Sequence, residues 1–139
     1  MDNLTPEQRR KTMKAVRSAN TSLERRFFST LSERDLEGLS FHRDDIFGHP
    51  DIVHETGRIA IFLDSCFWHA CPKHLQIPAS NTEYWKRKIR RNKSRDREVT
   101  RRLERQGWLV LRIWGHSVKN QRSRRWWATR ICTLVAERT

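Results

Sequence analysis

The feature that most constrains this chain is the uninterrupted apolar run from Ile59 to Leu63. A short run without a polar residue is typical of a central strand covered on both faces. A second apolar run, 108–114, is interpreted as another strongly buried strand. Between them the sequence predicts a helix from Asn81 to about Gln106, with Gly107 as its stop. A strand, a helix and a strand in this order favour a right-handed crossover with parallel strands.

Shorter sequence patterns predict the remaining strands and helices of an α/β fold. Residues 51–53 and 59–63 flank a turn, which predicts an antiparallel hairpin, and 38–43 reads as a further strand. Pro50 favours extended geometry at the preceding His49. Helices are predicted from Pro6 to about residue 17, from a capping box at 21–24, and from about residue 123. We therefore expect one domain, residues 1–139, with a mixed sheet of about four or five strands and helices on both faces.

The charge balance indicates the kind of partner. The chain has 29 Lys and Arg against 16 Asp and Glu, a net charge of +13, and such an excess is typical of nucleic-acid binding. No apolar run approaches the length of a membrane span, and the N-terminus does not read as a signal peptide. Three cysteines in such a chain favour reduced thiols and a cytoplasmic location.

The predicted long helix has an inward stripe with two polar members. The stripe consists of Trp85, Ile89, Asn92, Asp96, Val99 and Leu103. Asn92 and Asp96 therefore point where apolar groups are expected, while Lys and Arg dominate the outward faces. This pattern favours a functional surface beside the helix.

Thiols and imidazoles crowd the segment after the central strand. Cys66, Cys71 and His74 have ligand chemistry suited to zinc, and His116 could complete a closed tetrahedral site. The alternative is two small buried cysteines and a surface histidine. His69 could replace His74 as a ligand or remain free as a base.

Acidic and aromatic residues lie around the same segment. Asp51, with a strand-end carbonyl, could hold Mg²⁺, and His69, oriented by Asp96, could act as a general base. Taken alone, Asp51 reads as a turn residue and Glu24 as a capping carboxylate. Phe67 and Trp68 could be core residues or wedges that insert between bases, and Trp85 could join them.

Several motifs in this chain form a recognisable set. They are Gly48-x-Pro50-Asp51, Phe62 to His69 followed by Cys71-Pro72-x-x-His74, Glu83-Tyr84-Trp85, Arg95-Asp96 and Gly107-Trp108-x-Val110-Leu111. Together they resemble the very-short-patch repair endonucleases. The resemblance implies a restriction-endonuclease-like α/β fold and nicking of one DNA strand beside a T:G mismatch, left when 5-methylcytosine deaminates.

The resemblance also implies individual roles. Asp51 would bind Mg²⁺ with the Leu63 backbone carbonyl, His69 would activate water, and Glu24 and Asp96 would support the catalytic site. The intercalating residues would be Phe67, Trp68 and Trp85, and the structural zinc ligands would be Cys66, Cys71, His74 and His116. Residues 1–20 would form a helical arm that contacts DNA. Asp64 receives no role.

The expected partner is double-stranded DNA with a T:G mismatch, bound by a monomer in the bacterial cytoplasm and, during repair, in contact with mismatch-repair proteins. Two other classes compete with this interpretation. A restriction-type endonuclease would cut both strands of undamaged DNA and would not need an aromatic wedge. A non-catalytic zinc-containing DNA-binding module would not need His69 beside Asp51, or an inward Asp96.

Overall fold

The computed structural model describes residues 7, 22–64, 77 and 79–139. Within residues 22–64 a helix, α1, covers residues 22–32. The elements that follow are β1 (Leu39–Phe41), β2 (Ile52–His54), β3 (Ile59–Asp64), α2 (Thr82–Arg105), β4 (Leu109–Trp114), a short 3₁₀ helix (Gly115–Val118) and α3 (Gln121–Arg138). The predicted N-terminal arm, apart from residue 7, lies outside the described residues.

The four strands form one mixed sheet in the order β1-β2-β3-β4. β1 pairs with β2, and β2 with β3, in antiparallel register. β3 and β4 are parallel, with Ile59 opposite Leu109 and Asp64 opposite Trp114. The predicted hairpin, the parallel crossover and the mixed sheet are therefore confirmed among the described residues.

Both faces of the sheet are covered by helices. Ile61 of β3 belongs to a core with Phe27 of α1 and Ile131 of α3. Ala60, its neighbour in β3, packs instead with Leu103 of α2. Every residue of β3 is buried, as predicted for a central strand.

The edge position of β4 corrects one expectation. The apolar run 108–114 predicted a second strongly buried strand, but only Ile113 of β4 is fully buried and its other residues are partly exposed. The reason is topological, because among the described strands β4 is the last of the sheet and pairs with a neighbour on one side only.

Helix α2 matches its prediction closely. At its end Trp108 N–H donates to the Leu103 carbonyl at 3.0 Å and Gly107 N–H donates to Glu104 at 3.0 Å. This is a Schellman motif, and it needs the left-handed backbone that Gly107 has, with φ of 90°. The apolar members of the predicted stripe are buried, whereas Asn92 and Asp96 are only partly buried. No helix in the described part of the chain is long and apolar enough to cross a membrane.

A tight turn sets the position at which β2 begins. His49 has φ of 54°, so the extended geometry predicted from Pro50 is wrong. The turn is closed by His49 N–H, which donates to the Ile46 carbonyl at 3.0 Å. A Cβ on Gly48 would lie 2.3 Å from Val99 Cγ1, so the absence of a side chain lets this loop lie directly on α2. The close approach, with the turn hydrogen bond, outweighs the conformational preference imposed by the proline.

Replacing Gly48 should therefore be costly. We expect Gly48→Ala to lower the free energy of unfolding by about 2 to 4 kcal/mol, because alanine is strained at positive φ and its methyl group collides with Val99. Urea unfolding measures the change. Gly107→Ala is the matched control, since Gly107 also has positive φ but, among the described residues, an added Cβ would meet Arg58 Nε alone, at 3.7 Å. Equal losses in the two variants would contradict the proposed contact with α2.

Candidate active site

An open cavity of about 320 Å³ lies between α2 and the sheet, where β2 begins and β3 and β4 end. Its walls come from α1, the loop before β2, β3, α2 and β4. The lining residues are Glu24, Gly48, His49, Asp51, Phe62, Leu63, Asp64, Asn92, Arg95, Asp96, Val99 and Arg112. The cavity therefore brings together the predicted site residues Glu24, Asp51, Leu63 and Asp96, which are far apart in the sequence.

The carboxylate of Asp51 is held against the end of β3. Leu63 N–H donates to Asp51 Oδ2 at 2.8 Å. The Asp51 backbone N–H donates in turn to the Ile61 carbonyl at 3.0 Å, which holds the backbone of this residue against β3 as well. One carboxylate oxygen is thereby fixed by the backbone, and the side chain lies in the wall of the cavity rather than serving only as a turn residue.

Glu24 reaches the same point from α1. Its carboxyl group lies within hydrogen-bonding reach of Asp51, and its pKa is raised. Burial raises this pKa most, the negative charge of Asp51 and the hydrogen bond to Asp51 raise it further, and nearby His42 lowers it. Two acidic groups held this close repel each other when both are ionised, so Glu24 belongs to the site in addition to any capping role.

The raised pKa of Glu24 has a consequence for stability. The folded protein retains a proton that the unfolded chain releases, so without divalent cations its stability should fall as pH rises from about 4.5. Glu24→Gln removes this titration, and we expect a higher melting temperature than wild type near neutral pH and a flatter pH profile. Thermal unfolding between about pH 4 and pH 8 without divalent cations measures the effect. Glu33→Gln, an exposed change one residue beyond the end of the same helix, should leave the wild-type slope, and a wild-type slope in Glu24→Gln would refute the assignment.

Arg112 is a site residue that the sequence interpretation missed. Its Nη1 donates to Asp64 Oδ1 at 3.0 Å, and its Nη2 donates to the Asp96 carbonyl at 3.1 Å. Its Nε donates to Thr100 Oγ1 at 2.8 Å, and the guanidinium lies 4.3 Å from the centre of the Phe62 ring. Arg112 therefore joins β3, β4 and α2 at the floor of the cavity.

The contact with Arg112 also explains how the Asp64 carboxylate is accommodated in the protein interior. Only 5% of this residue is exposed, and such a buried carboxylate requires a compensating cation. Arg112 provides it through the ion pair, and Asp96 Oδ1 lies 3.7 Å from the same nitrogen. In the sequence, the only indication of this role is that Arg112 is the single charged residue within the otherwise apolar run 108–114.

The zinc and wedge predictions fall mostly outside the described residues. Cys66, Phe67, Trp68, His69, Cys71 and His74 all lie there. His116 is in the 3₁₀ helix after β4, two residues beyond Trp114, which pairs with Asp64 at the end of β3. Across residues 22–64 and 79–139, no group of three or more His, Cys, Asp or Glu side chains could hold a metal ion. The zinc site stays a prediction.

Trp85 is buried, whereas a residue that intercalates between bases must be exposed. Its residue exposure is 0%, and the side chain belongs to the buried stripe of α2. Insertion between base pairs would require the indole ring to leave this position. An intercalating role for Trp85 therefore stays a prediction that includes a conformational change.

Comparison with known proteins identifies the family. A family model described as DNA mismatch endonuclease Vsr matches residues 1–74. The chain is 39% identical over 109 residues to the DNA mismatch endonuclease Vsr of Escherichia coli, covering 76% of this chain and 68% of that protein.

Two nicking enzymes are also similar. The type II nicking enzyme V.XorIIP of Xanthomonas oryzae is 39% identical over 114 residues, covering 81% of this chain and 83% of that enzyme. V.NaeI of Lentzea aerocolonigenes is 48% identical over 73 residues, covering 52% of this chain, and the match spans only 44% of that enzyme. The resemblance seen in the motifs is thus confirmed over most of the chain, which belongs to the Vsr family of DNA mismatch endonucleases.

Proposed function

We propose that this protein is a DNA endonuclease that nicks one strand beside a T:G mismatch left by deamination of 5-methylcytosine, and so initiates very-short-patch repair. The observation that carries the proposal is the Glu24 and Asp51 carboxyl pair in an open cavity bordered by a basic helix. The family membership and the similarity to nicking enzymes support the reaction class. The mixed sheet flanked by helices supports a restriction-endonuclease-like fold.

The surface beside the cavity suits a polyanionic substrate. Basic side chains dominate the exposed faces of α2 next to the partly buried Asn92 and Asp96. The exposed members nearest the N-terminal half of α2 are Lys86, Arg87, Arg90, Arg91, Lys93, Arg95 and Arg97. Phosphate contacts from such a row position a duplex without reading its sequence.

The acidic pair fits a divalent cation of the Mg²⁺ type. Carboxylate oxygens are the hard ligands that Mg²⁺ prefers. Burial raises the pKa of Glu24 most and repulsion from Asp51 raises it further, and a bound cation would relieve this repulsion. Asp51 and the Leu63 backbone carbonyl would hold the ion, and Glu24 would support the metal site through water. When bound, Mg²⁺ supplies Lewis-acid stabilisation of the phosphodiester and a more acidic water.

The remaining chemistry falls to an imidazole and to aromatic side chains. We assign His69 as the group that accepts the proton of the attacking water, with Asp96 orienting its ring. Phe67 and Trp68 would intercalate beside the mismatch, with Trp85 as a third member after movement. A monomer in the bacterial cytoplasm, in contact with mismatch-repair proteins during repair, is the proposed setting.

Structural zinc is proposed at Cys66, Cys71, His74 and His116. The parallel pairing of Asp64 with Trp114 supports it, because Cys66 and His116 each follow that pair by two residues. We expect about one zinc per chain by metal analysis, as for a closed four-ligand site. Cys71→Ser should lose the metal, whereas Cys132→Ser, in α3, should retain it. Full zinc content in Cys71→Ser would disprove this ligand set.

A strand-resolved cleavage assay tests the function. Duplexes labelled separately on each strand, with a T:G pair or the matched C:G pair, are incubated with and without Mg²⁺. The proposal predicts a single nick, in the strand that carries the mismatched T, only with Mg²⁺. Cutting of both strands of matched DNA would favour the restriction-type enzyme, and binding without cleavage would favour the non-catalytic zinc module.

A further inference from the structure

We propose that a groove between α1 and the first turns of α3 binds the sugar–phosphate backbone of the substrate duplex, a few nucleotides from the nicked bond. We call it the arginine groove, and it is distinct from the acidic cavity described above. The inference rests on the proposed function in that the ligand is the same DNA molecule.

The arginine groove is polar and strongly basic. It has a volume of about 430 Å³ and is lined by Ser22, Arg25, Arg26, Ser29, Thr30, Glu33, Gln121, Arg124 and Arg125. Four of these residues are arginines and one is acidic. The chain has no Asp or Glu from residue 105 to residue 136, so α3 contributes no acidic side chain before Glu137. The local field therefore attracts anions.

Several of the arginines are available for a ligand. Arg25, Arg26 and Arg125 are exposed, and within the described part of the chain their guanidinium groups make no hydrogen bond or ion pair. Arg124 is different, because its Nη1 donates to the carbonyls of Val118 and Lys119 at 3.1 and 2.8 Å. One arginine therefore holds the start of α3, while the others face solvent.

A hydrogen bond joins the two segments that form the walls of the groove. Arg34, just beyond α1, donates from Nη2 to the Arg125 carbonyl at 3.3 Å. This contact ties the two helices together across 91 residues of sequence. The arginines are thus presented on packed helices rather than on a loop, which reduces the entropy lost when a ligand binds.

The position of the groove relative to the cavity fits a continuous DNA backbone. Glu24 lines the acidic cavity, and the next residue, Arg25, lines the groove, so the two sites both border α1. A helix with side chains is about 10–12 Å wide. That distance corresponds to roughly three base pairs at about 3.4 Å each. A duplex with its reactive phosphate at the cavity can therefore extend its backbone to the groove.

The lining chemistry favours DNA over an acidic protein. Protein–protein interfaces usually contain an apolar core, and none of the described residues that line this groove is apolar. Hydroxyl groups of Ser22 and Ser29 lie among the guanidinium groups, and both types of group donate hydrogen bonds to phosphate oxygens. The Thr30 hydroxyl donates instead to the Arg26 carbonyl at 3.0 Å. The groove carries no feature that reads bases, so its contribution should be independent of sequence.

The test is the salt dependence of duplex binding, measured without added divalent cation so that no cleavage is needed. Each lost phosphate contact lowers the slope of log K against log salt by about 0.9. We expect the double variant Arg26→Gln/Arg125→Gln to have a slope lower by about 1.8. When salt rises from about 50 to 200 mM, the factor by which its affinity falls should then be about ten times smaller than for the wild type. Arg26→Lys/Arg125→Lys should retain most of the wild-type slope.

The matched control is Arg101→Gln/Arg105→Gln, which removes the same charge from exposed positions at the far end of α2. It should change the slope much less. An unchanged slope in the groove variant, or an equal change in the control, overturns the proposal. Thermal unfolding verifies that each variant is folded. If wild-type protein never nicks T:G DNA but the groove variant still loses slope, the proposed function fails and the arginine groove stands.

Discussion

Asp51→Asn is expected to lower the rate of strand nicking by at least about 10³-fold, which corresponds to about 4 kcal/mol of transition-state stabilisation. Asparagine has nearly the same shape as aspartate, and its side-chain oxygen can still accept the Leu63 N–H bond that fixes Asp51 at 2.8 Å. The substitution therefore removes the negative charge without removing the hydrogen bond. Because the phosphate contacts lie elsewhere, affinity for the duplex should change little.

The measurement is single-turnover nicking of a T:G duplex at saturating enzyme, alongside equilibrium binding of the same duplex. Asp44→Asn is the matched control, since Asp44 precedes the same strand but its side chain is 89% exposed. It should nick at close to the wild-type rate. Nicking by Asp51→Asn within about tenfold of wild type would mean that the charge of Asp51 is not needed, and the assignment of the cavity would fail.

Much of the fold could be predicted because its determinants are local. The apolar run at 59–63, the helix stop at Gly107 and the three-and-four spacing along α2 each specify one element within a few residues. Asn92 and Asp96 also stood out locally, as polar residues in an apolar stripe. Each of these elements is found in the structure, because apolar residues spaced at the period of a helix or strand lie on the face that becomes buried.

The wrong expectations concern interactions between distant segments. The backbone of His49 is set by the contact of Gly48 with Val99, about fifty residues away, and the edge position of β4 depends on the order of the whole sheet. The Arg112–Asp64 pair spans 48 residues. A lone arginine in a strand looks the same in sequence whether it faces solvent or a buried carboxylate. Only the register of the β3–β4 pair decides between them.

Arg112→Leu should be the most destabilising change in the described part of the site. It removes the guanidinium that faces Asp64 at 3.0 Å, together with the bonds to Thr100 and to the Asp96 carbonyl. Breaking a buried ion pair by removing one partner typically costs about 3 to 5 kcal/mol. We expect a loss of this size in urea unfolding, with loss of nicking as the floor of the cavity rearranges.

A second substitution separates stability from chemistry. Asp64→Asn in the Arg112→Leu background removes the buried charge that Arg112 neutralised, so it should recover a large part of the lost free energy of unfolding. A double variant as unstable as Arg112→Leu would show that the pair is not the source of the loss. If the recovered protein nicks DNA, neither Arg112 nor the Asp64 carboxylate is needed for the reaction, and the pair serves stability alone. If it is folded but inactive, at least one of these two side chains takes part in the reaction as well as in stability.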